Sequence, residues 1–171
     1  MRKAARRGFT LVELIIVIVI LGILGTIAIP QLISSTKDAE EATLAADLTM
    51  LRNSISLYYH QHNSVYPGVV TSDGTGTATD ATNNVAAFIS QLREYSDKSG
   101  RTSAVLDRAN FPFGPYLNNG LPENPINGLA TVKMLTDSDA IASGEIDGTT
   151  GWLYNSTTGE IRSNTTGYLE Y

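Results

Sequence analysis

Hydrophobic and polar positions change their rhythm twice along this chain of 171 residues. From Phe9 to Ile29, 16 of 21 positions are hydrophobic and Glu13 is the only ionisable one. At 1.5 Å per residue a helix over that run spans about 31 Å, close to the hydrocarbon thickness of a bilayer. The run therefore predicts a membrane-crossing helix. After Pro30 the pattern turns amphipathic: Leu44, Leu48, Leu51, Ile55 and Tyr58 recur at steps of four and three, the spacing of one helical face. Lys37, Asp38, Glu40, Glu41, Asp47 and Arg52 fill the intervening surface. The helix is expected to continue to about His62 and to stop before the stretch from Asn63 to Gly68, where Pro67 and Gly68 mark a turn.

Beyond that turn the rhythm breaks up. Residues Val69 to Asn84 are rich in Thr, Ser, Gly, Asp and Asn and read as a loop. Asn83 or Asn84 is placed to cap a short helix over Val85 to Tyr95, with Val85, Phe88, Ile89 and Leu92 as its apolar face. Seven of the 18 residues from Phe111 to Gly128 are Pro or Gly, which excludes regular structure through most of that stretch. Three later runs read as strands: Leu129 to Leu135, Trp152 to Asn155 and Glu160 to Ser163. The segment from Ser156 to Gly159 joins the last two as a hairpin, with the glycine free to take a positive φ. The fold class expected is α+β: a long N-terminal helix, membrane half plus amphipathic half, packed on a head built from a small antiparallel β-sheet.

Charge sharpens this division. The averages of 42% hydrophobic, 17% charged and net charge -5 describe an ordinary soluble protein and conceal the apolar run. Four of the 12 basic residues (Arg2, Lys3, Arg6 and Arg7) precede position 9, so the remainder carries 8 basic against 17 acidic residues. Such an acidic body argues against nucleic acid as a partner, because binding its backbone needs a cationic surface. There are no cysteines, hence no disulfides, thiolate metal sites or cysteine nucleophiles. The basic cluster before the apolar run favours an amino terminus left in the cytoplasm, with the head on the other side. A secretory signal fits poorly: its apolar region is about 7 to 15 residues with a small-x-small cut site, whereas this run is longer and ends Ala-Ile-Pro.

Glu13 is the position that a plain membrane anchor does not explain. An acidic residue at the centre of a spanning helix costs about 2.5 to 3.5 kcal/mol, less near the interface, so a carboxylate retained here calls for a cationic partner. If the chain were cut between Gly8 and Phe9, the new α-amino group of one copy could neutralise Glu13 of a neighbour.

The sequence GFTLVE at Gly8 to Glu13, after RKAARR and before an unbroken apolar run, resembles the class III leader and amino-terminal helix of type IV pilins and pseudopilins. The resemblance implies cleavage after Gly8 by the prepilin peptidase, methylation of the new terminal residue Phe9, and a role for Glu13 in docking each subunit into a filament. It also implies a division into leader (1–8), transmembrane and assembly helix (9–30) and periplasmic head (31–171), the lollipop of that family. A glycine before the cut leaves the backbone open to the protease. Gly22, Gly25 and Pro30 punctuate the helix. They read as a gentle bend in the lone subunit and, by the resemblance, as a stretch that loses helical hydrogen bonds when subunits pack. Patches of the head, Leu51 to Pro67, Gly114 to Gly128 and the Trp152 hairpin, also resemble major pseudopilins of the type II secretion system. The long Thr/Ser/Gly insertion and the carboxyl terminus depart from that pattern.

The remaining chemistry is thin. Asp137, Asp139 and Asp147 lie in a polar loop and offer the oxygen ligands calcium takes, and in the resembled family an acidic carboxyl-terminal loop often binds calcium. The loop fails the EF-hand pattern, since Ile141 stands where a third ligand belongs and no glutamate follows at the twelfth position. No cofactor is therefore expected, calcium being the one candidate. His60 and His62, two apart, fall on different helix faces and read as surface or helix-end residues, not as a shared metal site. No nucleophile elbow, metalloprotease helix or phosphate loop is present, and the sequons at Asn155 and Asn164 match a pattern common by chance in Asn/Thr-rich loops.

The function expected from the resemblance is a non-enzymatic subunit of a type II secretion pseudopilus, resident in the inner membrane and then in the filament. Identical subunits, minor pseudopilins, the prepilin peptidase and an assembly platform with a cytoplasmic ATPase would be its partners. A type IV pilin for adhesion, motility or DNA uptake is the alternative within the class, and the absence of cysteine favours the pseudopilin. A membrane-anchored binding or enzymatic domain is the alternative from another class.

Overall fold

A computed structural model describes residues 8–171; the basic cluster Arg2, Lys3, Arg6 and Arg7 lies outside the described residues. The elements in chain order are α1 (Leu11–Gln61), α2 (Ala81–Arg93), β1 (Tyr95–Ser96), β2 (Thr102–Ser103), β3 (Val132–Leu135), a 3-10 turn (Ser143–Glu145), β4 (Trp152–Asn155) and β5 (Ile161–Ser163). The chain divides into two units, Met1–Ala39 and Glu40–Tyr171. The described part of the first unit, 8–39, contains the apolar start of α1, whose described large hydrophobic side chains are exposed.

The second unit has a core. Leu44, Leu48, Leu51, Ile55 and Tyr58 are at most 2% exposed and form one cluster with Phe88, Leu92, Trp152, Tyr154 and Ile161. The heptad-like spacing read from the sequence is thus the buried face of α1. Each such side chain contributes about 1.5–3 kcal/mol by leaving water. Helix α2 begins earlier than its apolar spacing suggested. The Asp80 carbonyl accepts the Asn84 N–H at 3.0 Å, which puts Asp80 at the N-cap. Asn84 lies inside the first turn and its side-chain amide donates to the Ala78 and Asp80 carbonyls at 2.6 and 3.1 Å. Asn83 is likewise helical rather than capping.

Two small sheets complete the head. β1 and β2 pair antiparallel, Tyr95 opposite Ser103. β3, β4 and β5 form the second sheet, in that order. β4 and β5 pair antiparallel as expected, but β3 pairs parallel to β4, with Val132 opposite Trp152, so this sheet is mixed. The cause is the connection 136–151, long enough to carry the chain back to the starting end, as a parallel pair requires. Gly159 closes the β4–β5 hairpin at φ 74°, and a Cβ there would lie 2.2 Å from the Tyr66 ring. Gly151 is needed for a different reason: a Cβ would come within 1.9 Å of the Leu129 carbonyl oxygen.

Side chains of the sheet and helix tie down the irregular segments. Trp152 Nε1 donates to the Pro122 carbonyl at 2.9 Å and Tyr154 OH to that of Pro67 at 3.0 Å. Arg52 Nη2, on α1, donates to the main-chain oxygens of Ile161 at 3.3 Å and Tyr171 at 2.5 Å.

Candidate functional site: the amino-terminal segment

Gly8, Phe9 and Thr10 lead into α1, and its start is set by a reciprocal cap. The Thr10 backbone N–H and hydroxyl both donate to Glu13 Oε2, at 2.7 and 2.8 Å, and the Glu13 N–H donates to Thr10 Oγ1 at 3.3 Å. This is a capping box, with the carboxylate at the electropositive end of the helix. Thr10 was not singled out from the sequence, although Thr10-Leu11-Val12-Glu13 has the T-x-x-E spacing; the apolar run around it masks the signal.

Phe9 is 87% exposed, and an 18-residue window of α1 has the length and apolarity to cross a membrane with none of it buried. Apolar side chains exposed over such a length fit a membrane-anchored helix. α1 is unbroken through Gly22, Gly25 and Pro30. Among the described residues a Cβ at Gly8, Gly22 or Gly25 would meet no atom within 4 Å, so packing among them does not require glycine at any of the three.

The other candidates are scattered through the head. His60 is exposed, whereas His62, just past the end of α1, is only 2% exposed and belongs to the interior, not the surface. Its ring stacks on Tyr58 with centroids 3.7 Å apart; Nδ1 lies 2.8 Å from the Tyr58 carbonyl, to which it donates, and Nε2 lies 3.0 Å from Ser96 Oγ. Burial pushes its pKa below the ordinary histidine value, partly offset by the Tyr58 carbonyl and by Asp97. Asn155 and Asn164, the sequon asparagines, are both fully buried with their amide nitrogens bonded. They are structural braces, closed to glycosylation in the folded head.

The acidic residues do not converge as a calcium site would require. Asp137 Oδ1 accepts from the Asn155 amide at 2.9 Å, the Asp139 carbonyl accepts from the same amide at 3.0 Å, and Asp147 is paired with Lys133 at 2.8 Å. Among the described residues no three His, Cys, Asp or Glu side chains could hold a metal ion together.

Comparison with known proteins agrees with the amino-terminal geometry. The family described as the prokaryotic N-terminal methylation motif matches residues 3–29, which include Gly8, Phe9 and Glu13. The type II secretion system core protein G of Klebsiella pneumoniae is 30% identical over 120 residues, covering 70% of this chain and 69% of that protein. The chain belongs to the type IV pilin and pseudopilin family. The core protein G of Aeromonas hydrophila is 34% identical over 97 residues, 57% of this chain and 63% of that protein. The major component of the narrow type IV pilus of Thermus thermophilus is 31% identical over 108 residues, 58% of this chain and 93% of that protein. The chain spans about half the length of several curated relatives it matches, 44% to 63%. No solved structure matches it. This pilin-family chain has the family's α+β organisation, one long amino-terminal helix with small sheets after it.

Proposed function

We propose that this chain is a structural subunit of a type II secretion pseudopilus. The observation that supports it is the exposed apolar start of α1, headed by a carboxylate that the chain's own Thr10 orients but does not neutralise. Cleavage after Gly8 frees an α-amino group on Phe9, the residue immediately before the Thr10 cap. Both bonds from Thr10 fall on Oε2, and among the described residues Oε1 takes none, so it is the atom that meets the α-amino group of a neighbouring copy. Pairing the two charges removes the penalty of holding either in lipid, and this favours the assembled over the single subunit. The amino terminus starts in the cytoplasm and the head in the periplasm, following the basic cluster before Phe9.

Gly22, Gly25 and Pro30 give α1 the freedom to lose backbone hydrogen bonds as copies pack; no contact among the described residues needs those glycines. The protein performs no reaction. Its work is mechanical, with the prepilin peptidase, minor pseudopilins, an assembly platform and a cytoplasmic ATPase as partners. A type IV pilin is the second reading, favoured by the alignment that covers 93% of the Thermus thermophilus pilus component.

Glu13→Gln tests the proposal. The variant should insert in the membrane in normal amount yet yield few or no filaments, as read by shearing and electron microscopy; normal filaments would refute the charge pairing. Mass spectrometry of the mature protein should find a methylated Phe9 at the amino terminus, and an intact Met1 would refute the processing. Deleting the gene separates the two readings: loss of protein export with motility retained supports the pseudopilus, and the reverse supports the pilus.

A further inference from the structure

The connection between β3 and β4 is built around a cation, and the cation belongs to the chain. Lys133 Nζ, from β3, lies 2.9 Å from the Glu145 carbonyl oxygen and 2.8 Å from Asp147 Oδ2. Asp147 is itself fixed from the other side. Its Oδ1 accepts from the Thr149 N–H at 3.0 Å, the Thr149 hydroxyl at 2.7 Å and the Asn164 amide at 2.8 Å. Asn164, fully buried, accepts in turn from the N–H groups of Asp147 and Gly148 at 2.9 and 3.2 Å. Two oxygens from separate points of the connection therefore converge on one position, and an ammonium group fills it at charge-assisted hydrogen-bond distance.

Those two oxygens are of the kinds calcium selects, a carbonyl and a carboxylate, but calcium needs six to eight ligands at about 2.3–2.6 Å. Of the other carboxylates in and beside the connection, Asp137 accepts from the Asn155 amide, Glu145 from the Ala142 N–H at 2.8 Å, and Glu160 from the Ile141 N–H at 2.9 Å and Arg162 Nε at 2.8 Å. We propose that the Lys133 ammonium is the resident cation of the 136–151 connection, and that the head is therefore indifferent to calcium. A tethered cation cannot be diluted or chelated away, unlike a bound ion whose stabilisation grows with its free concentration. The carboxyl of Asp147 accords with this, held well below the usual carboxylate range first by Lys133 and then by Asn164 and Thr149. The inference concerns the head alone and does not depend on which filament the chain enters.

The test is thermal unfolding of the full chain in detergent, followed by the fluorescence of Trp152, the only tryptophan and fully buried. The unsubstituted chain should melt at the same temperature in excess calcium chloride and in a calcium chelator; a rise in calcium overturns the proposal. Lys133→Met, which keeps the stem and removes the charge, should melt several degrees lower in chelator, and Lys133→Arg should recover most of that loss. A Lys133→Met protein as stable as the original would overturn it. Should that variant fail to fold, Asp147→Asn removes the same pair from the other side. A melting temperature unchanged by Asp147→Asn would equally refute the clasp. Where both variants fold, the double variant should fall by less than the sum of the two.

Discussion

The two halves of α1 carry the same kinds of aliphatic side chain, which end in opposite environments. Leu14, Ile15, Ile16 and Leu24 are 47–59% exposed, while Leu44, Leu48, Leu51 and Ile55, on the same helix, are 2% exposed or less. The kinds of aliphatic residue do not distinguish them; the polar and charged residues set between them in the second half, and the spacing that results, do. In the second half the aliphatic residues sit three and four apart and leave polar residues on the far side, so one face can be covered by a head. In the first half they surround the helix, and no single covering element would suffice; only a continuous apolar medium or a ring of neighbours would.

The sharpest way to break this contrast is a matched pair of truncations. Leu48→Ala should cost the head about 2–5 kcal/mol and lower its melting temperature in detergent, since it opens a cavity among fully buried side chains. Ile16→Ala should leave that melting temperature where it is. Equal losses from the two would mean that the halves are not energetically separate.

A smaller effect tests whether the head's packing reaches its hairpin. Gly159→Ala places a side chain at φ 74° and against the Tyr66 ring, and should destabilise by about 2 kcal/mol or more in chemical denaturation. The equivalent change at Gly22, where a Cβ meets nothing, should not alter head stability.

The smallest effect expected is with pH. His62 is neutral in the folded head with its pKa depressed, so below 6.5 the unfolded chain takes up a proton that the folded one refuses. Its contribution is complete above that value and is lost as pH falls toward the lowered folded-state pKa. Melting temperatures measured from neutral to mildly acid pH should decline more steeply for the natural chain than for His62→Gln, and parallel curves would mean that His62 does not control this window.

How much of this was legible in the sequence follows the range of the interactions. Periodicity reports on a helix and its own faces, so the α1 stripe and the apolar run could be read directly. Trp152 to Asn155 was legible as a strand because the alternation of its aromatic residues, Trp152 and Tyr154, is local too. The parallel pairing of β3 with β4 was not, since it depends on where the 136–151 connection leaves the chain. β1 and β2 have two residues each, too few for any alternation to register. His62 reads as a surface or helix-end residue because polarity is a local property, whereas its burial, like that of Asn155 and Asn164, is a tertiary one, sustained by partners as distant as Ser96, Asp137 and Thr150. At the amino-terminal site, Gly8, Phe9 and Glu13 carry a motif, but Thr10 became visible as a cap only through its geometry.

The core has a further consequence for the order in which the molecule is made. Leu44 to Tyr58 is covered by Trp152, Tyr154 and Ile161, and the bond from Arg52 to Ile161 spans 109 positions of chain. A nascent chain emerging from its amino terminus carries the greasy face of α1 uncovered until nearly all of the head has been synthesised. Completion of the last hairpin is thus the event that makes the head soluble, and a chain truncated before β4 should aggregate or be degraded even though every residue of α1 is present.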